Sequence, residues 1–463
     1  MLLDFINNLK RKYPSSFWLM CFTITWERFS YHGISTLLVL YFTTSVIKGG
    51  IGLSPKEATS LYGFYVGILH LTPLIGGWLS DRYLGQQKSI ILGGAFISLG
   101  NFLLFTSSNI YQLYFGLLSI IIGNGFFKAN GTNLVGNIYS HKSTLEREVA
   151  YSLFYMFINL GSFLAPFTAG LVADKFFAVR TITGEITHFG YKPMFFICSI
   201  IGIIWTVSFL CLAPKYLKDT GKLPCYTCKT EKKSIFSFDF TENEKKRIKA
   251  MGIISIFVIL FWTSFYQSFS SITLYARDHV DRNLLGFIIP VPWFAALNAI
   301  LGILFSPILA MLWSQLRKRN ITIPVKISIG IFSMGIAFAF MTISVLTSEG
   351  MKANIIFIIL AYVFNTLSEL CVAPIGIAMF NCLSPKRYST FFMGLWYMTM
   401  FFASIISGKV AGFTQDMGFL TIFLSLAVIL FTMGSILYFS RKHLDNLMAV
   451  SYTHLTLPTT SRV

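Results

Sequence analysis

The sequence predicts an all-α membrane protein whose twelve spanning helices fall into two six-helix halves. Three observations carry that expectation. Apolar residues make up 54% of the 463 positions and charged residues 12%, a balance well outside that of chains folding in water. Twelve segments stay apolar over the length of about 20 residues that a helix needs to cross hydrocarbon, where every backbone amide must be satisfied internally. One polar, basic stretch, 214 to 250, then divides them six and six.

Taken in order, the first span, 17 to 46, carries Glu27, Arg28 and His32 in "TITWERFSYHG". The second, 58 to 80, holds His70 and runs into "GGWLSDRYLGQQK"; the third covers 89 to 107. The fourth, 110 to 138, contains Lys128 in "GNGFFKANGTN", whose Gly123 and Gly125 read as sites of close helix packing. The fifth and sixth cover 149 to 173 and 193 to 213. In the second half the spans are 251 to 276, 287 to 313, 325 to 347, 353 to 381 with Glu369 in "NTLSELCVAPIG", 389 to 415 and 418 to 440. The expected domains are therefore 1–213, a basic linker at 214–250, and 251–449.

Lys and Arg accumulate in cytoplasmic loops. With the N-terminus inside, the inner segments hold 25 of them and the outer segments 9, so both termini are expected in the cytoplasm of a plasma (inner) membrane protein. The net charge of +18 is mostly this bias, with 10 of the positive residues in 214–250, a linker expected to touch anionic lipid. Nucleic-acid binding is set aside, because the charges flank hydrophobic spans instead of lining one face. Cys225 and Cys228 form a lone CxxC without a second ligand pair and read as ordinary reduced cysteines; no metal or cofactor is expected. Residues 1 to 16 are basic and polar, and the apolar stretch after them is too long for a cleavable signal peptide. The tail "VSYTHLTLPTTSRV", 450–463, resembles the conceptual translation of a sequencing-library adapter and is excluded as an assembly scar, with the native end expected a little beyond Ala449.

Ionisable residues inside spans cost at least about 2.5 kcal/mol each on insertion scales, so they mark either a water-filled pathway or a structural ion pair or snorkelling side chain. Glu27, Arg28, Lys128 and Glu369 are the deep ones, and a polar central cavity is the reading preferred here. Arg28 can grip a carboxylate with a bidentate fork and Lys128 can add a point charge, while Glu369 can receive an ammonium. A short peptide, a zwitterion with separated charged ends, suits that set. No nucleophile and base pair or phosphate loop points to an enzyme.

These residues lie in a pattern with relatives. "ITWERFSYHG" resembles the ExxERFxYYG motif of the proton-dependent oligopeptide transporters, a branch of the major facilitator superfamily. "GGWLSDRYLGQQK" resembles that family's signature after the second helix, and "YSLFYMFINLGSF" its second signature. "FWTSFYQSFSS", "PVPWFAALNAILGILFSPILAMLW", "SELCVAPIG" and "PKRYSTFFMGLWYM" resemble its seventh, eighth, tenth and eleventh helices, so the resemblance covers about residues 15 to 440. It implies a major facilitator fold and import of di- and tripeptides by alternating access, driven by protons. It also implies that Arg28, Tyr31, Lys128 and Asn159 form the first half of the peptide site and Asn298, Glu369 and Trp396 the second, with Asp81 and Arg82 at the cytoplasmic gate. Taken alone, Tyr31 and Trp396 read as packing aromatics and Asn159 as an interhelical hydrogen-bonding group.

The departures matter as much. Ile24 stands where the motif opens with a glutamate, Ser35 where an arginine commonly follows, and Tyr266 where the seventh helix commonly carries an acid. Losing the arginine and the acid together is self-consistent, since either alone would leave an unpaired buried charge. Losing the first glutamate removes a proton carrier, which leaves Glu27, Lys128, His32 and His70 as the proton-coupling candidates; a neutral, hydrogen-bonded histidine is the competing reading for the last two. Three functions stay open: a peptide importer, a facilitator or exporter of another amphoteric solute, and a non-transporting nutrient receptor using the same pocket.

Overall fold

The computed structural model describes residues 13–142, 144–224, 240–315, 321–348, 351–385 and 389–448. Cys225, Cys228, Ala449 and the 450–463 tail lie outside them. Twelve long helices run through the described residues. In the first half these are α1 (Ser15–Thr43), α2 (Pro55–Leu79), α3 (Gln86–Thr106), α4 (Ile110–Ile138), α5 (Thr144–Leu171) and α6 (Tyr191–Tyr216). In the second they are α7 (Glu242–Asp278), α8 (Pro292–Gln315), α9 (Ile323–Leu346), α10 (Ile355–Leu383) and a 51-residue stretch, Ser389–Phe439, that Gly418 divides into α11 and α12. Gly418 turns that corner at φ 78°, a left-handed conformation open to glycine. A short amphipathic helix, α13 (Arg441–Met448), follows.

Ten stretches among the described residues are long and apolar enough to cross a membrane, and the last of them is the α11–α12 pair. The further span, α1, is 29 residues long, but Glu27, Arg28 and His32 lower its mean hydropathy. This is an integral, all-α membrane protein. Helix starts are set locally: Ser54 and Glu57 close a capping box ahead of Pro55 on α2, Thr241 and Glu244 do the same for α7, and Asn109 and Asn354 cap α4 and α10. Helical structure also enters the basic linker from both ends, through Tyr216 and from Glu242.

The chain divides into two compact units, Met1–Thr230 with Asn283–Ile303, and Glu231–Arg282 with Leu304–Val463. In the first unit α2, α3 and α4 touch backbone to backbone: a Cβ on Gly76 would collide with the Gly125 carbonyl, and one on Gly123 with that of Gly93. Asn124 donates to the Leu69 carbonyl at 3.0 Å across the same crossing. The Asn283–Ile303 segment joins this unit because the Trp293 ring stacks on Phe167 at 4.7 Å and its indole N–H donates to the Phe167 carbonyl at 3.0 Å. In the second unit α7 breaks at a 3-10 turn, Tyr266–Phe269, which hydrogen bonds from α10 and α11 hold in place.

Candidate functional site

The charged stretch of α1 builds most of one polar group within the first unit. Residues three and four apart share a helix face, so Glu27, Arg28, Tyr31 and His32 can meet. The Glu27 carboxylate accepts from Arg28 Nε at 2.5 Å and from Nη2 at 2.7 Å, a bidentate pair in which Glu27 is 1% exposed and Arg28 12%. The Arg28 guanidinium sits 4.9 Å from the centre of the Tyr31 ring, and that ring meets His32 edge-on at 4.9 Å. Lys128 on α4 and Arg28 both lie close enough to act electrostatically on His32 and on His70, which is 7% exposed on α2. The close α2–α4 crossing joins the two helices that carry His70 and Lys128. One acid and two bases leave the group formally positive, the sign that attracts a carboxylate.

α5 closes against α1 beside this group. A Cβ on Gly161 would lie 2.9 Å from that of Arg28, and Thr25 Oγ1 donates to the Phe157 carbonyl at 3.2 Å. Asn159 lies between Phe157 and Gly161 in sequence and is half-buried. Asp81 and Arg82 fall in a π-helical turn, Ser80–Leu84, that ends at Gly85. Asp81 is half-buried, whereas Arg82 is exposed with its guanidinium 5.5 Å from the Trp78 ring.

The three departures have distinct surroundings. Ile24 is 5% exposed in an apolar cluster with Met20, Phe127, Phe154 and Trp205. Ser35 is buried on α1, and Tyr266 opens the α7 break with its ring stacked on Trp262 at 5.8 Å.

Asn298 belongs with the first unit and is half-buried. Glu369 and Trp396 belong to the second. Glu369 is half-buried on α10, one turn after Asn365. Trp396 is fully buried, wedged against Gly376 with its ring 5.3 Å from Phe380. At the α7 break the motif "FWTSFYQSFSS" and Tyr266 are legible in the sequence, but the partners of Gln267 and Ser268 are not. Gln267 donates to the Ser407 carbonyl and hydroxyl at 3.1 and 3.0 Å, Tyr362 donates to the Ser268 carbonyl at 3.1 Å, and Asn365 donates to the Ser268 hydroxyl at 2.5 Å. The run "YQSFSSIT" is polar inside an otherwise apolar span, which marks the break without naming its partners. Gln86 and Gln87, which close the "GGWLSDRYLGQQK" motif before Lys88, also have partners that the sequence does not indicate. Gln87 donates to the Lys218 and Thr220 carbonyls at 2.9 and 2.8 Å, which moors the chain leaving α6, and Asn137 of α4 donates to Gln86 at 2.9 Å.

Comparison with known proteins gives this geometry a context. The model of the POT family matches residues 87–223 and 218–420. An uncharacterized transporter of Bacillus subtilis (strain 168) is 29% identical, over 92% of this chain and 93% of its own length. Dipeptide and tripeptide permease B of Salmonella typhimurium (strain LT2) is 28% identical, over 87% of each chain. A crystal structure of a mutant POT peptide transporter in complex with alafosfalin superposes with a TM-score of 0.85 at 25% identity, over 94% of this chain and 96% of the other.

Proposed function

The chain belongs to the POT family, and on that premise we propose that it is a secondary active transporter importing di- and tripeptides by alternating access, with protons as the coupling ion. The observation that carries this reading is the bidentate Glu27–Arg28 pair under Tyr31, with Lys128 in electrostatic range of the same histidines as Arg28. Glu27 occupies one edge of the guanidinium and fixes its plane, so the hydrogens left on Nη1 and Nη2 are held ready for a second carboxylate, and Lys128 makes the group positive overall. In this reading Arg28, Tyr31, Lys128 and Asn159 form the first half of the peptide site and Asn298, Glu369 and Trp396 the second, with Arg28 and Lys128 suited to the peptide carboxylate and Glu369 to its ammonium. Asp81 and Arg82 serve the inner gate. The working halves are 1–213 and 251–449, joined by 214–250, in a plasma (inner) membrane with both termini cytoplasmic.

Dipeptide uptake into proteoliposomes, with and without an imposed pH gradient, tests the proposal. A free dipeptide is expected to accumulate, and blocking either terminus to weaken binding by about 1.5 to 3 kcal/mol, the worth of a hydrogen bond to a charged group. Equal binding of free and doubly blocked peptides would end the peptide reading. One observation favours a second reading: Ile24 packs in an apolar cluster where the family motif has a proton-carrying glutamate. A facilitator without proton coupling is then the alternative, and peptide exchange that ignores the pH gradient is its signature.

A further inference from the structure

One end of the second unit gathers basic side chains with little acidic counterweight. The first two turns of α7, the first turn of α9 and α13 together hold seven Lys and Arg against Glu242, Glu244 and Asp445. Those acids are engaged locally. Glu242 pairs with Lys245 at 2.8 Å, Glu244 accepts from the Thr241 backbone N–H at 2.8 Å, and Asp445 lies half-buried beside Thr322 and Arg441. Among the described residues no carboxylate lies within ion-pair distance of Lys246, Lys249, Lys326 or Lys442. The three elements form one surface because α13 packs on both α7 and α9, burying Leu444 and Met448.

The cations also stand where outward apolar stripes end. Lys249 is seven residues before Ile256, which is 59% exposed, and Lys326 is three before Ile329, 41% exposed. Phe439, 78% exposed, lies three residues before Lys442. The Lys326 ammonium sits 5.2 Å from the centre of the Trp313 ring, a pairing typical of the level where acyl chains give way to headgroups. In a chain that spans a bilayer, exposed stripes of this kind face lipid tails, so the lysines at their ends meet phosphates.

We propose that this surface, formed by the starts of α7 and α9 with α13, is a docking site for anionic phospholipid headgroups, with Lys246, Lys249, Lys326 and Lys442 as the phosphate contacts. The cations are spread over three helices along a lipid-facing rim, which suits a lipid better than a compact soluble anion. Each lysine near an anionic leaflet strengthens the attraction, and the effect decays with salt.

Native mass spectrometry of the full chain in neutral detergent, with equal amounts of phosphatidylglycerol and phosphatidylcholine, reads the preference directly. Phosphatidylglycerol is expected to be retained about tenfold over phosphatidylcholine at low salt, falling as salt is raised. The quadruple variant Lys246→Gln, Lys249→Gln, Lys326→Gln, Lys442→Gln should lose the preference with an unchanged melting transition, and the same four changes to Arg should keep it. Should the quadruple Gln variant fail to fold, Lys246→Gln with Lys442→Gln, both at exposed positions, should still cut the preference several-fold. A preference that survives these substitutions, its absence from the parent, or displacement by inorganic phosphate where chloride at the same ionic strength leaves the lipid bound would overturn the assignment.

Discussion

Glu27 and Arg28, adjacent in the chain, are each other's bidentate partners: two guanidinium nitrogens of Arg28 donate to the two carboxylate oxygens of Glu27 at 2.5 and 2.7 Å. The pair fixes the plane of the guanidinium and leaves Nη1 outside it. Because the Glu27 side is 1% exposed, removing one partner strands a charge in a poorly solvated place. Glu27→Gln is therefore expected to lower stability by about 3 kcal/mol and to raise the KM for dipeptide uptake, and Arg28→Lys to raise KM with a smaller stability loss. Thermal melting in detergent together with uptake kinetics separates the two effects; a Glu27→Gln protein with the parent's melting transition and KM would remove the pair from both roles.

Glu369 lies one turn beyond the Asn365 side chain that donates to Ser268. Glu369→Gln keeps the shape and removes the charge that would meet a peptide ammonium. Affinity for free dipeptides is expected to fall by roughly tenfold, while N-blocked peptides change little. Competition assays with the two ligand sets check this, and an equal loss for both would assign Glu369 to folding.

The two histidines beside Arg28 and Lys128 differ in what they touch. His32 is edge-on to Tyr31, whereas His70 comes from α2 across the glycine-mediated contact with α4. If a histidine carries the coupling proton, uptake accelerates as external pH falls. His70→Gln is expected to keep peptide exchange but lose gradient-driven accumulation, and His32→Gln to retain both. Accumulation that persists in His70→Gln transfers the role to another group.

Ile24→Glu would reinstate the acid of the family motif, but Ile24 is packed among Met20, Phe127, Phe154 and Trp205. A carboxylate there loses its hydration without a partner in that cluster, so the variant is expected to be less stable by about 3 to 5 kcal/mol. Melting temperature and yield after detergent extraction measure the cost. A variant as stable as the parent would mean that a charged partner reaches this site.

Asp445 on α13 lies outside the spans, and burial pushes its carboxyl above the usual aspartate range, with the Thr322 hydroxyl and Arg441 acting the other way. An acid whose folded pKa is raised binds its proton more tightly in the folded state, so stability is lost as pH rises through that value. Asp445→Asn is expected to raise the melting temperature slightly at neutral pH, with the gap to the parent closing as pH falls. A gap that widens in acid would show that the Arg441 contact outweighs burial.

Much of this protein is legible in its sequence because a bilayer makes local demands. Each span must be apolar over its own length and satisfy its own amides, so the spans and the anomalous charges at Glu27, Arg28, Lys128 and Glu369 stand out one segment at a time. The motifs in α1, α2 and α5 added the family, which the match over 87–223 and 218–420 supports. What tertiary structure decided is which surfaces meet. Helical spacing puts Tyr31 on the face of Arg28, but it does not say that Arg28 spends its fork on Glu27. Nor does it say that Ile24 faces Phe127 and Trp205, or that Trp396 is buried against Gly376. The polar run at the α7 break acquired its meaning only when Tyr362 and Asn365 of α10 and Ser407 of α11 reached it. Those contacts depend on how closely two helices approach and at what rotation, and these are set by pairs of distant residues such as Gly76 and Gly125, whose proximity no periodicity in one segment encodes.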